Sequence, residues 1–417
     1  MSAPILEAGK RPLIRTITLG LNLDYAHPAK GAKRAKNFFR TASEMLEAKG
    51  LQSRTFRLTS QSVDELYPGS WDDFEGLVAF ARKVEDELDG IWFCLAGPAF
   101  RRRADDPKRL DMIPRVLAET KNVFTNTLVS SASGMHRGAI IKSGQIIREL
   151  AELDDNHQAN FRFAVMSNVG PNTPYFPASY HQGTNGFSIS LELADLAMEI
   201  FSQDMHFDKR LQAFHQKLEE LILPVLDTCR QIAESEGVVF KGVDFSLAPF
   251  PGEGTSAVAA LERLGGSRGG QYEFLMPLFA VNQVLKRACP QCPRVGYNGT
   301  MFSVLEDNRL ADHIAEGHVS IKDLLLYSTL CGCGLDMVPV ALDTREEKLA
   351  ALIQAISAIG MKWNKPLIAR IVPSSTCDKG KTKLDHDFIV NTRPLILPLE
   401  DFATPGLTST FYSPEHW

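Results

Sequence analysis

A polar strand face followed by a glycine-rich turn is the clearest candidate for chemistry in this chain. It lies in Gly242–Ser256, where Asp244 and Ser246 fall on one face of an extended strand. Two polar groups on the inner face of a strand are costly unless they bind something. The turn through Gly252 and Gly254 adds backbone N–H groups and a helix N-terminus, which favour a carboxylate or another anion. This segment therefore predicts part of a binding site.

Three carboxylates in and near this segment predict a divalent-cation site. Glu253 lies in the turn after Asp244, and Asp336 interrupts an apolar strand further along the chain. Hard oxygen ligands of this kind suit Mg²⁺ or Ca²⁺, and zinc is disfavoured. Two alternatives stay open: Asp244 belongs to a polar strand face that binds no metal, and Glu253 caps the following helix.

His181 and Arg370 are candidates for proton transfer and substrate recognition. His181 lies in a loop after a strand, where a histidine acts as a general base or holds the loop in place. Arg370 interrupts an apolar strand, so we expect its guanidinium to meet a carboxylate, either of a substrate or of an aspartate in the chain. The full set of candidates is His181, Asp244 and Arg370 for catalysis, Asn22, His136, Asn172, Tyr180, Ser246, Gly252 and Gly254 for substrate binding, and Asp244, Glu253 and Asp336 for a metal.

Cysteine usage bears on the cellular compartment and on zinc. Seven cysteines in 417 residues are too sparse for a disulfide framework, so we expect reduced thiols and a cytoplasmic location. Cys289 and Cys292 have CxxC spacing, and Cys331 and Cys333 add a second pair. Four cysteines can hold one zinc, but a single residue separates the second pair, which disfavours such a site. The sequence leaves open whether the two pairs meet.

Composition and missing motifs narrow the function classes. A net charge of −5 and a hydrophobic content of 44% are typical of a globular protein whose main partner is neither nucleic acid nor a membrane. No apolar run reaches the ~20 residues of a membrane span, and residues 1–10 do not form a secretory signal. Nucleotide and flavin fingerprints are absent. We therefore expect a small-molecule ligand, and homo-oligomerisation is compatible with the sequence.

Strand-like and helix-like segments alternate through the first half of the chain, which favours a parallel sheet or barrel with helices outside. The expected strands are Leu13–Leu21, Leu51–Leu58, Gly90–Leu95, Val123–Ser130, Phe161–Ser167 and Gly186–Leu191, with Gly334–Val340 and Pro366–Val372 later in the chain. Phe207–Gly237 is the longest helical stretch, and Pro224 should kink it or divide it.

Five groups of segments, in order, resemble one bacterial and archaeal family, the domain of unknown function 711, also called uncharacterised protein family 0210. The segments are Ile14–Asn22, Tyr175–Gly183, Val243–Pro249, Cys333–Met337 with Asp343-Thr344, and Ala358–Gly360 with Asn364–Pro366 and Ala369–Pro373. The resemblance extends from residue 14 to about residue 390, which is most of the chain.

The resemblance implies a fold similar to that of glycyl-radical enzymes, a ten-stranded α/β barrel with helices outside and chain threaded inside. It implies one large barrel domain (residues 13–396) between an N-terminal arm (residues 1–12) and a C-terminal tail (residues 397–417). The loop Arg294–Gly299 is similar to the radical-bearing loop of those enzymes, but it lacks the small residue before the glycine. More than a hundred residues also follow it. We therefore do not expect radical chemistry.

These observations lead to two hypotheses about function. The first is a metal-assisted enzyme, a lyase, isomerase or hydrolase, that acts on a small polar carboxylate-bearing metabolite at the barrel mouth. Asp244, Glu253 and Asp336 would hold Mg²⁺ or Ca²⁺. His181 would move a proton, and Arg370 would pair with the substrate carboxylate. The second hypothesis is a non-catalytic metabolite-binding or regulatory barrel that uses the same groups.

Overall fold

The computed structural model describes residues 14–153, 158–252, 254–377, 380–397 and 411–412. The expected N-terminal arm, most of the expected tail and the metal candidate Glu253 lie outside these ranges. The strands expected from the alternating pattern are all present, with ends displaced by a residue or two.

One mixed sheet of eleven strands organises the described chain. The strands are β1 (Ile14–Leu21), β2 (Ser53–Ser60), β3 (Trp92–Leu95), β4 (Val123–Ser131), β5 (Gly134–His136), β6 (Phe163–Ser167), β7 (Gly186–Leu191), β8 (Val239–Asp244), β9 (Gly334–Ala341), β10 (Leu367–Ser374) and β11 (Phe411–Tyr412). The main path is β8-β7-β1-β2-β3-β4-β6-β10-β9, and β5 with β11 branches from β4. Five central strands from β1 to β6 along this path are parallel. The outer pairs β7-β8 and β10-β9 run the opposite way.

Helices cover one face of this sheet. They are α1 (Pro28–Glu47), α2 (Val63–Leu66), α3 (Glu75–Leu88), α4 (Met112–Ala118), α5 (Arg137–Ala151), α6 (Ala194–Phe201), α7 (Phe207–Glu236), α8 (Ala257–Gly265), α9 (Leu275–Arg287), α10 (Asn308–Ala315), α11 (Ile321–Ser328) and α12 (Glu346–Lys362). Their apolar sides pack on alternate strand residues such as Ile17, Phe93 and Ile371 in the largest hydrophobic core. Each fully buried Leu, Ile or Phe there contributes about 1.5–3 kcal/mol. No described helix is long and apolar enough to cross a membrane.

The longest helix, α7, runs without interruption although Pro224 lies inside it. Of the two effects expected of this proline, a kink or a break, the structure excludes the break. Proline removes one N–H donor and crowds the preceding turn. Apolar residues on both sides of it, including Leu218 and Val225, are buried in the same core and keep both halves in one helix.

The opposite face of the sheet, which we call the inner face, is buried by a loop. Residues 169–181 cross it and place Tyr175 and Phe176 in two small apolar clusters, together with strand residues such as Phe124 and Ile368. Neither cluster includes a residue of an α-helix. Both faces of the sheet are therefore buried, and polar side chains on the inner face lie inside the protein.

The hydrogen-bonded sheet has two ends and is not closed, so the ten-stranded barrel is not confirmed, and neither is the likeness to glycyl-radical enzymes. The ends are β8 and β9. Single-residue bridges connect both of them to residues 294–303: Val243 with Arg294, Leu247 with Thr300, and Asp336 with Ser303. The described architecture is thus a mixed α/β sheet in one domain, with an irregular segment between its edges.

Candidate functional site

Charged side chains gather on the inner face toward the amino ends of the central strands. They are Arg15 of β1, Arg54 and Arg57 of β2, Glu192 after β7, Glu306 before α10, Asp336 of β9 and Arg370 of β10. All of them except Glu192 line a cavity of about 40 Å³ together with aromatic rings, and we call it the arginine cavity. A volume of that size holds about three water molecules.

Arg15 and Arg54 share the carboxylate of Glu192. One oxygen of Glu192 accepts from Arg15 at 3.2 Å, and the other accepts from Arg54 at 3.0 Å. Arg15 also donates to the carbonyl oxygen of Pro249 at 2.8 Å and lies 3.4 Å from Glu306. Because hydrogen bonds between ionised groups are stronger than neutral ones, these contacts fix both guanidiniums.

Arg370 is bound by two carboxylates. Its Nε donates to Asp336 and a terminal nitrogen donates to Glu306, each at 2.7 Å. Burial lowers the pKa of Arg370, but the two carboxylates outweigh burial and raise it. A β-bulge positions Asp336, because the register shifts beside it and Met337 adopts a φ of 47° that side chains rarely take. The sequence left open whether Arg370 meets a substrate carboxylate or an aspartate of the chain. In the structure its partners are two carboxylates of the chain.

Arg57 has no carboxylate partner among the described residues. Its Nε donates to the Thr55 hydroxyl at 3.2 Å, and its guanidinium lies 5.2 Å from the ring centre of Trp92 and 5.3 Å from that of Phe176. No described residue accepts a hydrogen bond from its two terminal nitrogens. Burial, and then repulsion by Arg15, lower the pKa of Arg57 to about 9, so the side chain is protonated at neutral pH. In the part of the chain that the structure describes, four guanidiniums thus meet three carboxylates, and Arg57 bears the excess charge.

Three hydroxyl groups lining the same cavity make no hydrogen bond of normal geometry to a described residue: those of Tyr175, Tyr297 and Ser303. Ser190 lies near the first of them, and Asp336 lies near the last. Burial raises the pKa of both tyrosines, so their hydroxyls stay protonated and can donate. A buried polar group without a partner costs about 1–3 kcal/mol, and a bound acceptor would remove that cost.

His181 lies toward the other end of the central strands. It borders a second cavity of about 290 Å³, together with Asp64 and Arg109, which we call the histidine cavity. Both ring nitrogens lie near oxygen atoms of the loop, Nδ1 at 3.2 Å from Asn172 Oδ1 and Nε2 at 3.1 Å from the carbonyl oxygen of Gly183, and the single N–H of the neutral ring donates to one of them. The imidazole therefore contacts the loop on both sides.

The surroundings of His181 keep its ring neutral at physiological pH. Burial, and secondly repulsion by Lys241, lower its pKa to about 4. The ring rests on β1 at Gly20, where an added Cβ would lie 2.5 Å from Nδ1. Because Asn172 and Gly183 lie against both nitrogens, the geometry favours the alternative in which His181 supports the loop.

The three predicted catalytic residues do not converge. His181 touches Gly20 near the carboxyl end of β1, whereas Arg370 belongs with Arg15 near the start of that strand. Arg15 and Gly20 are five residues apart on β1, which corresponds to about 16 Å along the strand. Asp244 borders neither cavity. The physical reason is that β10 runs antiparallel to the central strands, so the single mouth expected from the sequence is replaced by two separate cavities.

Asp244 clamps the segment that follows α9. Its carboxylate accepts from the backbone N–H groups of Ser246, Tyr297 and Asn298 at 2.7–3.1 Å, and from the Ser246 hydroxyl at 2.6 Å. Gly296 approaches so closely that an added Cβ would lie 2.0 Å from Asp244 Oδ2. Burial raises the pKa of Asp244, and the donors offset only part of the rise. Four donors satisfy this carboxylate within the chain, which favours the alternative of a polar strand face.

The anion cradle predicted after β8 is filled by the chain itself. Asp307 accepts from the Ser256 hydroxyl at 2.5 Å and from the Val258 N–H at 3.1 Å, at the start of α8. Gly252 and Gly254 shape the preceding turn, with φ values of 141° and 81°. A carboxylate thus lies at this helix N-terminus, as the helix dipole favours, but it belongs to Asp307.

Other predicted substrate-binding residues support the backbone. His136 caps α5, because its Nδ1 accepts from a backbone N–H of that helix at 3.0 Å. Asn22 donates to the carbonyl oxygen of Gly183 at 2.8 Å, next to the histidine loop. Tyr180 donates its hydroxyl to the carbonyl oxygen of Val169 at 3.1 Å. Asn22 and Tyr180 therefore lie with His181, and His136 lies apart.

The predicted metal ligands do not form one group among the described residues. Asp244 and Asp336 are engaged by separate sets of donors, and Glu253 lies outside the described ranges. Cys289 and Cys292 form a disulfide, which differs from the expectation of reduced thiols. No group of three or more candidate ligands in the described ranges includes a cysteine.

Arg57 and Tyr175 are among the cavity residues that sequence reasoning missed, together with Arg15, Arg54, Tyr297 and Ser303. Arg57 shares a strand face with Thr55 and Thr59, and such polar alternation is typical of a face exposed to water. The position of β2 in a parallel block could have indicated that this face is buried, because strands in such a block are buried on both faces. Tyr175 was visible only as the first residue of a family motif.

Comparison with known proteins finds relatives over most of the chain. The family model described as "Uncharacterised ACR (DUF711)" matches residues 8–383. A UPF0210 protein from Oenococcus oeni is 24% identical over 94% of this chain and 92% of its own length. UPF0210 proteins from Methanosarcina mazei (24% identical; 94% and 91%) and Streptococcus thermophilus (27% identical; 86% and 85%) are similarly related. Their names state no substrate, ligand or partner.

Proposed function

The chain belongs to the DUF711 (UPF0210) family, and for this member we propose that a small carboxylate-bearing metabolite binds in the arginine cavity. The observation behind the proposal is the excess positive charge of Arg57. An uncompensated buried charge costs several kcal/mol, and a bound monoanion would neutralise the cavity. The guanidinium fork matches the two oxygens of a carboxylate. A dianion such as phosphate would instead leave one negative charge in excess.

The size and lining of the cavity support a ligand of only a few non-hydrogen atoms. The volume of about 40 Å³ excludes a nucleotide or a sugar phosphate. The cavity also contains hydroxyl groups that can donate to the end of such a ligand opposite its carboxylate. They belong to Tyr175, Tyr297 and Ser303. In the enzymatic form of the proposal, these neutral donors assist proton transfer in a lyase or isomerase reaction. In the alternative form, the same contacts bind the metabolite without turnover.

The charge balance argues against a divalent cation in this cavity. Asp336 is the only predicted metal ligand here, and its carboxylate already pairs with Arg370. Four guanidiniums repel an added cation at these distances. The metal-assisted form of the hypothesis is therefore not the one that we propose for this cavity.

We propose further that residues 294–303 close the sheet around the cavity. The bridges from β8 to Arg294, from Leu247 just after β8 to Thr300, and from β9 to Ser303 support this closure. Asp244 holds the same segment with two backbone hydrogen bonds. In this arrangement the arginine cavity is the interior of a barrel, which explains why five of the seven charged groups are buried.

The test is a ligand screen on the wild-type protein and on Arg57→Met. Small monocarboxylates such as acetate, glycolate, glyoxylate and pyruvate should raise the melting temperature of the wild type by mass action. Arg57→Met should lose about 30-fold or more in affinity, because one partner of a buried charge pair is removed. Without ligand it should be at least as stable as the wild type. The control is Arg102→Met, since the Arg102 side chain is 83% exposed and pairs with Asp105.

Two outcomes would contradict the binding proposal: no stabilisation by any monocarboxylate, or equal stabilisation of Arg57→Met and the wild type. Turnover is measured separately by following the bound carboxylate with NMR in the presence of the protein. Consumption that Arg57→Met abolishes supports the enzymatic form. Binding without consumption supports the binding-protein alternative.

A further inference from the structure

Two histidines and a glutamate face one another at the carboxyl end of α10. His313 Nδ1 lies 3.3 Å from His318 Nδ1, and Glu316 Oε2 lies 3.1 Å from His318 Nδ1 and 4.0 Å from His313 Nδ1. Among the described residues this is the one group of three candidate metal ligands with their ligand atoms close together. It lies outside both cavities.

The distances fit a tetrahedral metal ion. Ligands that bind zinc at 2.0–2.2 Å lie about 3.3–3.5 Å from one another. The His313–His318 separation of 3.3 Å already has this value, and the His318–Glu316 separation of 3.1 Å is close to it. The remaining separation of 4.0 Å is closed by a small rotation of the exposed Glu316 side chain.

A partly buried carboxylate fixes the tautomer of His313. Glu262 of α8 lies 2.5 Å from His313 Nε2 and also accepts from Arg309 at 2.7 Å and from the Gly269 N–H at 3.0 Å. Because the Glu262 carboxylate can only accept, the proton lies on Nε2, and the lone pair of Nδ1 points toward His318. This is the arrangement in which carboxylates orient metal-binding histidines.

The backbone brings His318 back over His313. Gly317 has a φ of 78°, and the His318 N–H donates to the His313 carbonyl oxygen at 2.8 Å. Gly269 and Gly270 pack against both residues. An added Cβ would lie 3.0 Å from the His313 ring at Gly269 and 2.0 Å from the His318 carbonyl oxygen at Gly270. The close approach of the two histidines is therefore set by the main chain.

We propose that His313, His318 and Glu316 form a zinc site, with water in the fourth position. Two imidazoles and one carboxylate suit zinc better than Mg²⁺ or Ca²⁺. His313 is fully buried, whereas His318 and Glu316 are about half exposed, so the ion would be reached from solvent. The site is independent of the carboxylate proposal.

The bound ion would tie α10 to α8. Glu262 on α8 contacts His313, and α10 begins two residues after Glu306 of the arginine cavity. Zinc binding is thus expected to stabilise the fold and to limit the motion of one wall of that cavity.

The experiment is a zinc titration of the untagged, chelator-treated full chain in competition with a chromogenic chelator. One equivalent should bind, and His318→Ala should lose about 100-fold or more in affinity. Glu262→Gln should lose about 10- to 100-fold, the usual effect of removing an orienting carboxylate. The matched control is His215→Ala, because His215 on α7 also faces a glutamate, Glu219, at 3.9 Å. This variant should bind zinc like the wild type.

Failure to bind one equivalent would mean that the two imidazoles share only a hydrogen bond, and it would overturn the proposal. Equal affinities of His318→Ala and the wild type would overturn it as well. His318 is on the surface, so its replacement should leave the fold intact. A Co²⁺ spectrum with tetrahedral features in the wild type, lost in His318→Ala, would support the site without reference to stability.

Discussion

The arginine cavity and the histidine cavity lie at opposite ends of the same strands, and they differ in how their charges are paired. In the larger histidine cavity, Arg109 lies 2.6 Å from Asp64 and 3.5 Å from Asp105. Both ring nitrogens of His181 lie near oxygen atoms of the loop there. In the smaller arginine cavity, Arg57 has no carboxylate partner among the described residues.

The difference teaches that unmet hydrogen-bonding capacity identifies a candidate site better than volume does. A cavity whose charged groups pair with one another is already stable without a ligand, and Arg109 pairs with two aspartates although one of its nitrogens makes no hydrogen bond. A buried cation and hydroxyl groups without partners are costly until something binds them. The smaller cavity of about 40 Å³ is therefore the stronger candidate, although the other measures about 290 Å³.

The largest expected effect on stability is that of Arg370→Met. This change leaves Asp336 and Glu306 without the cation that both contact at 2.7 Å. Breaking a buried ion pair by removal of one partner typically costs about 3–5 kcal/mol. Urea unfolding at pH 7, followed by circular dichroism, should show this loss in the free energy of unfolding.

Arg57→Met is the matched comparison within the same cavity. Replacement of Arg57 leaves no described carboxylate without an ion-pair partner, so it should not lower the free energy of unfolding. Equal destabilisation by the two substitutions would mean that Arg57 is paired like Arg370. The contrast between the two cavities would then disappear.

The second prediction concerns the pH dependence of the histidine cavity. The pKa of His181 is lowered from 6.5 to about 4, so the unfolded chain binds the proton more tightly than the folded chain. Stability contributed by the neutral ring is complete above pH 6.5 and is lost as the pH falls toward 4, by about 3 kcal/mol in all. His181→Gln should remove this part of the slope when urea unfolding is measured between pH 7 and pH 4.

The control for this pH effect is His215→Gln, which changes a more exposed histidine on α7 and should keep the wild-type slope. If His181→Gln unfolds with the same pH dependence as the wild type, the ring of His181 is not held neutral by burial. It would then be a better candidate for proton transfer than the geometry indicates.

The smallest predicted effect is that of Arg109→Met in the histidine cavity. Arg109 pairs with Asp64, but both side chains are partly exposed, at 12% and 24%. Such pairs contribute about 1 kcal/mol or less. Thermal unfolding should detect a small loss that high salt reduces, since salt screens exposed charges. A loss as large as that of Arg370→Met would show that the two cavities are equally desolvated.

Much of the fold could be predicted from the sequence, because apolar periodicity records which face of a strand or helix meets the core. The strand Gly186–Leu191 was predicted with the bounds that it has in the structure. The order of the strands and the antiparallel placement of β10 could not be predicted, since periodicity carries no information about which strands pair.

The site was less predictable for the same reason. The partners of Arg370 and the unpaired state of Arg57 depend on residues far away in sequence. Asp244 shows the opposite error. It was predicted because a buried carboxylate on a strand is unusual, but two of the four donors that satisfy it come from residues 297 and 298. The burial of Asp244 was predicted correctly, whereas the donors to its carboxylate were not predicted.

The long sequence separations within the arginine network have a consequence for how the chain folds. Arg15 contacts Glu192, 177 residues later, and Glu306, 291 residues later. Contacts of such separation form slowly, because loop closure has to precede them. We expect the helix-covered layer to form first and the cavity last, with Trp92 beside Arg57 reporting that late step by fluorescence in a single-tryptophan variant. Fluorescence changes that coincide with helix formation would contradict this order. If the cavity does form last, the arginines of a nascent chain stay unpaired until β10 leaves the ribosome. Until that point, only the rest of the sheet can prevent them from pairing with carboxylates that are not their partners in the folded protein.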